Sequence, residues 1–494
     1  MEDNLFQVLR ERSTDRLSKV FLREPKGRSL TYSECFRMSG QYAQALQECG
    51  VKEGDRVLVK VEKSIDAVAL YLACLQFGAI YVPLNPLSTP DETNYFIADA
   101  EPSLVVYADG DTMDIPVHSE TIGEESGSLN RIASSLPALD IVTKRANSDV
   151  AAMLYTSGTT GKPKGAMLTH RGLIENARAL HETWGFRSDD VLLHCLPIFH
   201  VHGLFVALHC AMLSAAEVIF LQRFTVSSVI DALPQATVMM GVPTHYVRLL
   251  EDENFDHALC RHMRLFISGS APMSQHIHKA FSDVTGQQIL ERYGMTEAGI
   301  ITSNPLDGER IAGTVGLALP EMDLRITKGN TLCASGETGT VEIRGDHLFS
   351  GYWRQADQTA ESFRDDGFFI TGDIGSLDNQ GRLSLEGRVH DMIISGGENI
   401  YPKEIELHLD ELESIKESAI VGLPHPDLGE AVTAFIVTKG IFSEAKTRDH
   451  LTTHITSFKQ PKKYIIVDEL PRNSMGKIQK NRLREEYSSL FSSH

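Results

Sequence analysis

The chain has 494 residues, with 47 Lys plus Arg against 66 Asp plus Glu and a formal net charge of -19. A length of this order predicts roughly two to four domains with a large core, and 42% hydrophobic with 23% charged residues excludes disorder, coiled coil and collagen for the chain as a whole. The acidic balance excludes nonspecific binding to nucleic acid or to anionic membranes.

The N-terminus, Met1-Glu-Asp-Asn4, lacks the basic-then-apolar order of a secretion signal. Seven cysteines without a Cys-x-x-Cys pair predict no disulfide framework or zinc ribbon, and they fit a reducing, cytoplasmic setting. Apolar runs at Arg56–Val61, Ala79–Leu84, Ser103–Tyr107, Val191–Leu196, Glu217–Leu221, Val238–Gly241 and Leu265–Ser268 alternate with helical patterns. That alternation predicts α/β layering with mostly parallel sheet. The most apolar stretch, Ala67–Leu84, is interrupted by Gln76, Gly78 and Pro83. It predicts a buried helix to about Phe77, a Gly turn and a short strand, not a membrane span.

Next comes Leu154-Tyr-Thr-Ser-Gly-Thr-Thr-Gly-Lys-Pro-Lys-Gly165. Glycines let backbone N–H groups crowd an anion, hydroxyls donate hydrogen bonds, and Lys162 and Lys164 supply charge. Gly158 and Gly161 are too close together for a Walker A loop. Pro197-Ile-Phe-His-Val-His-Gly203 follows; His200 and His202 have no third ligand at a zinc-binding spacing. No G-x-S-x-G elbow marks a hydrolase. Gly241-Val-Pro-Thr-His-Tyr-Val-Arg248 reads as a strand end feeding a helix from Pro243. Read alone, its Arg248 is an exposed helical side chain. Arg292, in Leu290-Glu-Arg-Tyr-Gly-Met-Thr-Glu297, suits bidentate binding of a carboxylate; the alternative is an Arg turned to solvent or paired structurally.

From about Leu324 the texture changes: Gly339–Arg344 and Arg382–Glu386 alternate apolar and polar residues, predicting antiparallel β. Residues 391–494 read as a small α+β unit of strand, helix (Pro402–Leu412), strand (Ser418–Gly422), strand (Ala431–Thr438), helix and strand. Within it, Lys459–Arg484 carries eight basic and two acidic residues, either a solvated face or a landing surface for phosphates.

The run Thr156-Ser-Gly-Thr-Thr-Gly-Lys-Pro-Lys-Gly165 resembles the signature of acyl-adenylate-forming enzymes (acyl-CoA synthetases, adenylation domains and luciferases), and the resemblance extends over nearly the whole chain. It implies a large α/β N-terminal domain with a β subdomain (1–388), a hinge at 389–391 and a small mobile α+β domain (392–494). It assigns Thr156, Ser157, Gly158, Thr159, Thr160, Gly161, Lys162 and Lys164 to the ATP phosphates. Ser270, Ala271 and Pro272 of Ser268-Gly-Ser-Ala-Pro272 flank the purine. In Tyr293-Gly294-Met295-Thr296-Glu297, Tyr293 lies against adenine and Thr296 contacts the α-phosphate. Glu297, with Thr160, holds Mg²⁺. Asp373 and Arg388 form the ribose pair, and Lys477, in Pro471-Arg-Asn-Ser-Met-Gly-Lys477, reaches the α-phosphate and the substrate carboxylate. Lys477, Thr296 and Glu297 are thus the implied catalytic set. The hinge position, commonly Lys or Asp in the family, is His390 here. Ser395, Gly396, Gly397 and Glu398 are implied for CoA, whose phosphates are one candidate for the basic stretch.

The runs ERYGMTE and VPTxYxxR together resemble malonyl-CoA synthetases, in which both arginines hold the distal carboxylate. Pro197–Gly203, Arg264–Pro272, Thr302–Pro305 and Phe363–Asp373 match the same subgroup. The resemblance implies malonate, ATP and CoA as substrates, Mg²⁺, and an acid site of Ser268, His200, Arg248 and Arg292. Methylmalonate is a second acid, because one methyl discriminates weakly. Nucleic acid and membrane are not expected partners, and no oligomeric state is specified. The alternatives are an aryl- or fatty-acyl-CoA synthetase and an adenylating enzyme that loads a carrier protein.

Overall fold

The stretch Ala67–Leu84 folds as its interruptions dictate. The helix Ile65–Phe77 is capped by Ser64, whose side chain accepts from Ala67 N, and every one of its residues is buried. Gly78 ends it at φ 85°, a left-handed conformation that glycine adopts without steric cost, and the strand Ile80–Pro83 follows. The computed structural model describes residues 4–111, 117–123, 126–156, 163–395, 398–473 and 476–491. Among the described residues no helix is long and apolar enough to cross a membrane.

Two large sheets form the N-terminal part. One has six strands in the order Ser119–Ile122, Leu104–Ala108, Arg56–Lys60, Ile80–Pro83, Val150–Thr156, Lys164–Thr169; all pairs are parallel except the last. The other has nine strands. Its parallel interior runs Ile289–Met295, Leu265–Ser268, Val238–Gly241, Val191–His194, Glu217–Phe220, Val20–Arg23, and antiparallel strands close both edges. Helices cover these strands, which explains their continuous apolar runs. The predicted change of texture is a five-stranded antiparallel sheet built from Met322–Lys328, Gly339–Gly345, Phe369–Leu377, Leu383–Arg388 and the short Thr331–Leu332.

A further sheet belongs wholly to the C-terminal part. Its centre is Ile415–His425 paired along Gly429–Thr438, flanked by the hairpin Ile393–Ser395/Glu398–Ile400 and by Lys463–Ile466. The strand predicted at Ser418–Gly422 is 11 residues long. Pairing with a long neighbour carries its backbone past the apolar centre, into Lys416 and His425, where hydrophobicity gives no signal.

The parallel strands put the site at one end. In open α/β sheets ligands bind beyond the carboxyl ends of the strands. Here Val191–His194, Val238–Gly241, Leu265–Ser268 and Ile289–Met295 run side by side and lead into the segments bearing His200, Arg248, Ser270 and Thr296.

Candidate active site

Arg292 stands in the strand Ile289–Met295, opposite Ser303. It is only 4% exposed, yet among the described residues its guanidinium meets no carboxylate, and Nε and NH2 have no hydrogen-bond partner. Burial draws its pKa down to about 9. An uncompensated buried charge is strongly destabilising, so this cation is placed for something the protein itself does not supply. Gly269 makes room for it: a Cβ there would stand 2.3 Å from Arg292 Cζ.

Other polar groups around it are equally unsatisfied. Ser268 Oγ, His202 Nε2 and His200 Nε2 are buried without partners among the described residues. His202 Nδ1 is held at 3.2 Å by Ser270 Oγ, and Ser270 is one of the few non-glycine residues with positive φ, 70°. Such strain concentrates at ligand sites. Burial and the Arg292 charge keep His202 neutral, its pKa well below the usual histidine range. His200 lies against Phe199, ring centroids 4.4 Å apart, and burial with the Lys477 charge pushes its pKa to about 3. His202 opens a seven-residue π-helix, His202–Leu208, a form frequent at functional sites, and His200 precedes it by two residues.

Nearby lies a second group. Tyr293 donates its hydroxyl to Asp373 Oδ2 at 2.5 Å, and Arg388 Nε meets Asp373 Oδ1 at 2.9 Å, across strands in which Asp373 and Arg388 are paired residues. Glu297 is buried, accepts from the Tyr352 hydroxyl at 3.0 Å, and lies 3.5 Å from Thr156 Oγ1. Burial raises its pKa; a carboxylate so desolvated is stabilised by a hard cation. Lys164 Nζ lies over the Tyr352 ring, 5.2 Å from its centroid, and register places Lys164 opposite Thr156. Gly294, Met295, Thr296 and Ala271 are partly exposed around this group, and Pro272 is exposed. Ser157, Gly158, Thr159, Thr160, Gly161 and Lys162 lie outside the described residues, as do Gly396 and Gly397.

The C-terminal part contributes Lys477. Gly476, at φ 72°, comes so close to Thr244 that a Cβ would stand 2.9 Å from its Oγ1. Lys477 keeps solvent-accessible surface, as a group in an open cleft does. Crowding by the cleft walls, then the Arg388 charge, lowers its pKa to about 8, with Asp373 opposing and Arg292 adding to the fall. The cations Arg292, Arg388 and Lys477 therefore share one electrostatic neighbourhood with Asp373 and Glu297.

Three sequence assignments have no contact with this cluster among the described residues. Arg248 is exposed on the helix Pro243–Leu250, one turn beyond Thr244, and has no ion pair with a carboxylate among the described residues. Ser395 and Glu398 pair within a hairpin of the C-terminal sheet, and Ser395 also pairs with Gly429 of the strand Gly429–Thr438. His390 falls in the single turn Val389–Asp391, and its side chain lies outside what is described. The basic stretch is partly spent: Lys459 pairs with Glu404, Arg472 with Glu417, Lys480 with Glu406 and Arg484 with Asp391. A cavity of about 360 Å³ lies beside the histidine segment, lined among others by Lys63, Asn85, Pro197, Phe199, Arg223 and His245.

The sequence matches the AMP-binding enzyme family over residues 9–353 and the AMP-binding enzyme C-terminal domain over residues 404–477. This chain belongs to the AMP-binding enzymes. It is 33% identical to a malonate–CoA ligase of Arabidopsis thaliana, over 95% of this chain and 82% of that protein. It is also 30% identical to a long-chain-fatty-acid–CoA ligase of Bacillus subtilis, over 93% and 90%, so identity at this level does not choose the acid. ATP-bound MatB from Rhodopseudomonas palustris superimposes with a TM-score of 0.96 at 43% identity, covering 100% of both chains. Apo MatB from the same organism, also 43% identical and covering 100% of both chains, gives 0.85. The chain thus superimposes more closely on the ATP-bound structure than on the apo one.

Reading motifs in sequence missed several parts of this AMP-binding site. Tyr352 bears on Glu297, Gly269 on Arg292 and Thr244 on Gly476; each partner is distant in the chain, so spacing carried no sign of it. Lys63 was missed too. Its buried Nζ contacts His194 Nδ1 at 2.6 Å, while His194 Nε2 donates to Gly203 O at 2.9 Å, tethering the histidine segment. Burial lowers the Lys63 pKa to about 7.

Proposed function

We propose that this AMP-binding enzyme is a malonyl-CoA synthetase, converting malonate, ATP and CoA to malonyl-CoA, AMP and pyrophosphate. The observation that carries the reading is Arg292, a buried guanidinium with two unpartnered nitrogens beside Ser268, His200 and His202. A dicarboxylate supplies the missing anion. An aryl or fatty acid would bury an apolar tail against an unpaired charge, which is unfavourable.

In this reading one malonate carboxylate lies on Arg292, with Arg248 approaching from the rim, and the other faces Lys477. Tyr293, Asp373 and Arg388 position adenine and ribose, and Ser270, Ala271 and Pro272 flank the purine. Thr156, Lys164 and the loop between them hold the phosphates. Glu297 with Thr160 would hold Mg²⁺, which offsets charge on the departing pyrophosphate. As the carboxylate attacks the α-phosphorus, Lys477 and Thr296 stabilise the developing charge. The C-terminal domain then turns about His390 and brings Ser395–Glu398 to the adenylate. The thiol arm of CoA enters through the 360 Å³ cavity, with Arg223 at its lining available to its phosphates.

The test is pyrophosphate release from pure enzyme with a panel of malonate, methylmalonate, acetate, benzoate and octanoate. Malonate should lead. A preference for benzoate or octanoate sinks the dicarboxylate reading, and no release with any acid points to a silent binding module. Replacing CoA by the phosphopantetheine arm of a carrier protein separates a CoA ligase from a carrier-loading enzyme.

A further inference from the structure

On the C-terminal domain, away from Lys477, three histidines converge. His408 belongs to the helix Pro402–Asp410, and His450 and His454 to the helix Glu444–His454. Four residues apart, His450 and His454 share one helix face. Each of the three imidazoles offers one ligand atom, and these atoms lie within 4.8 Å of one another. The ring centroids of His450 and His454 are 4.5 Å apart, and those of His408 and His454 4.9 Å.

Their hydrogen bonds prepare lone pairs. His454 donates Nδ1–H to His450 O at 2.8 Å, which leaves Nε2 as the acceptor. His408 Nδ1 is buried without a hydrogen-bond partner among the described residues. Glu411, just past the first helix, places Oε2 3.3 Å from His450 Nε2 and 3.6 Å from His408 Nδ1. An imidazole whose other nitrogen donates to a backbone carbonyl, with a carboxylate alongside, is the usual dress of a metal-binding histidine. Zn–N bonds of about 2.0–2.1 Å set tetrahedral donor atoms about 3.3 Å apart, so small side-chain rotations close the set.

We infer that His408, His450 and His454, with Glu411 as the neighbouring carboxylate, form a binding site for a divalent transition metal of the zinc class. Three imidazoles suit that class, whereas calcium and magnesium take all-oxygen ligand sets. Bound there, the ion ties the helix that follows the 398–400 strand to the helix Glu444–His454. Among the described residues none of the four touches the cluster around Lys477, so the site is structural or regulatory with respect to the reaction.

The test uses the full chain without an affinity tag, stripped with a chelator. Zn²⁺ is titrated by calorimetry and Co²⁺ by visible absorption, with melting temperature as a third readout. One equivalent should bind with a Kd of about 1 μM or tighter, give the intense visible bands of four-coordinate Co²⁺, and raise the melting temperature. Outer partners of metal ligands are worth about 10–100-fold in affinity. Glu411→Gln should therefore weaken binding by about tenfold or more, and His454→Ala by more than that. His454 is exposed, so its replacement leaves the fold intact, as unchanged pyrophosphate release would verify. Absence of saturable binding below about 100 μM, full retention in a His408→Ala/His454→Ala double variant, or thiolate-to-Co²⁺ charge-transfer bands marking a cysteine site would each overturn the proposal.

Discussion

Gly269 and Arg292 meet face to face: the guanidinium fills the space a Cβ at 269 would need, 2.3 Å from Arg292 Cζ. The residue that ends one strand segment thereby aims the cation on the neighbouring strand. Gly269→Ala should displace the guanidinium and lower kcat/KM for malonate by about 100-fold, the cost of an ångström-scale misplacement. Steady-state kinetics with malonate and acetate checks this; equal losses for both acids would count against Arg292 as the distal-carboxylate group.

Removing the charge separates stability from function. Truncating one partner of a buried charge pair costs about 2–5 kcal/mol, so Arg292→Met should reduce kcat/KM for malonate by roughly 30- to 4000-fold while acetate changes little. The unliganded protein should become more stable, by about 1–3 kcal/mol, because a desolvated cation is replaced by an apolar side chain. Urea unfolding without substrate reads the gain, and a lower midpoint would contradict it.

Lys477 sets a pH limb. Its folded-state pKa is lowered to about 8, chiefly by desolvation, and the working form is the cation. The kcat/KM for the adenylation step reports the free enzyme. It should hold below pH 8 and fall about tenfold per unit above it. Lys477→Ala should abolish malonate-dependent pyrophosphate exchange yet still convert pre-formed malonyl adenylate and CoA to thioester, since the second step uses the other domain orientation. Equal loss of both half-reactions would refute that division.

Tyr352 holds Glu297 at 3.0 Å. Tyr352→Phe removes one hydrogen bond to a buried carboxylate whose pKa is already raised. The loss of about 0.5–1.5 kcal/mol should appear as a roughly 2- to 12-fold higher KM for magnesium ATP. Raising free Mg²⁺ should partly restore it; no Mg²⁺ sensitivity would speak against Glu297 as the metal carboxylate.

At the opposite end of the strands, Asp190 is fully buried and binds Arg264 through both carboxylate oxygens, at 3.0 and 2.8 Å, and Thr237 Oγ1 at 2.9 Å. Asp190, Thr237 and Arg264 each immediately precede a strand of the nine-stranded sheet. Asp190→Ala should destabilise the protein by about 3–5 kcal/mol and leave kcat at low temperature unchanged. Thermal unfolding and kinetics at two temperatures distinguish this from a role in the site.

The local chemistry was legible in the chain itself. Apolar runs located the strands, the interrupted stretch at Ala67–Leu84 specified helix, turn and strand, and the Thr156–Gly165 motif indicated the family, because backbone period and phosphate chemistry act over a few residues. What lies on opposite sides of the fold was not legible. Sequence could propose Arg292 as a ligand, as a solvent-facing side chain or as a structural ion pair; only packing showed it buried and, among the described residues, unpaired. It grouped Arg248 with Arg292; in the structure Arg248 is exposed on the helix Pro243–Leu250. The net charge of -19 gave no hint that Arg292, Arg388 and Lys477 gather in one cleft. It could not: a total charge carries no positions, and a site is made by distances between residues that are remote along the chain.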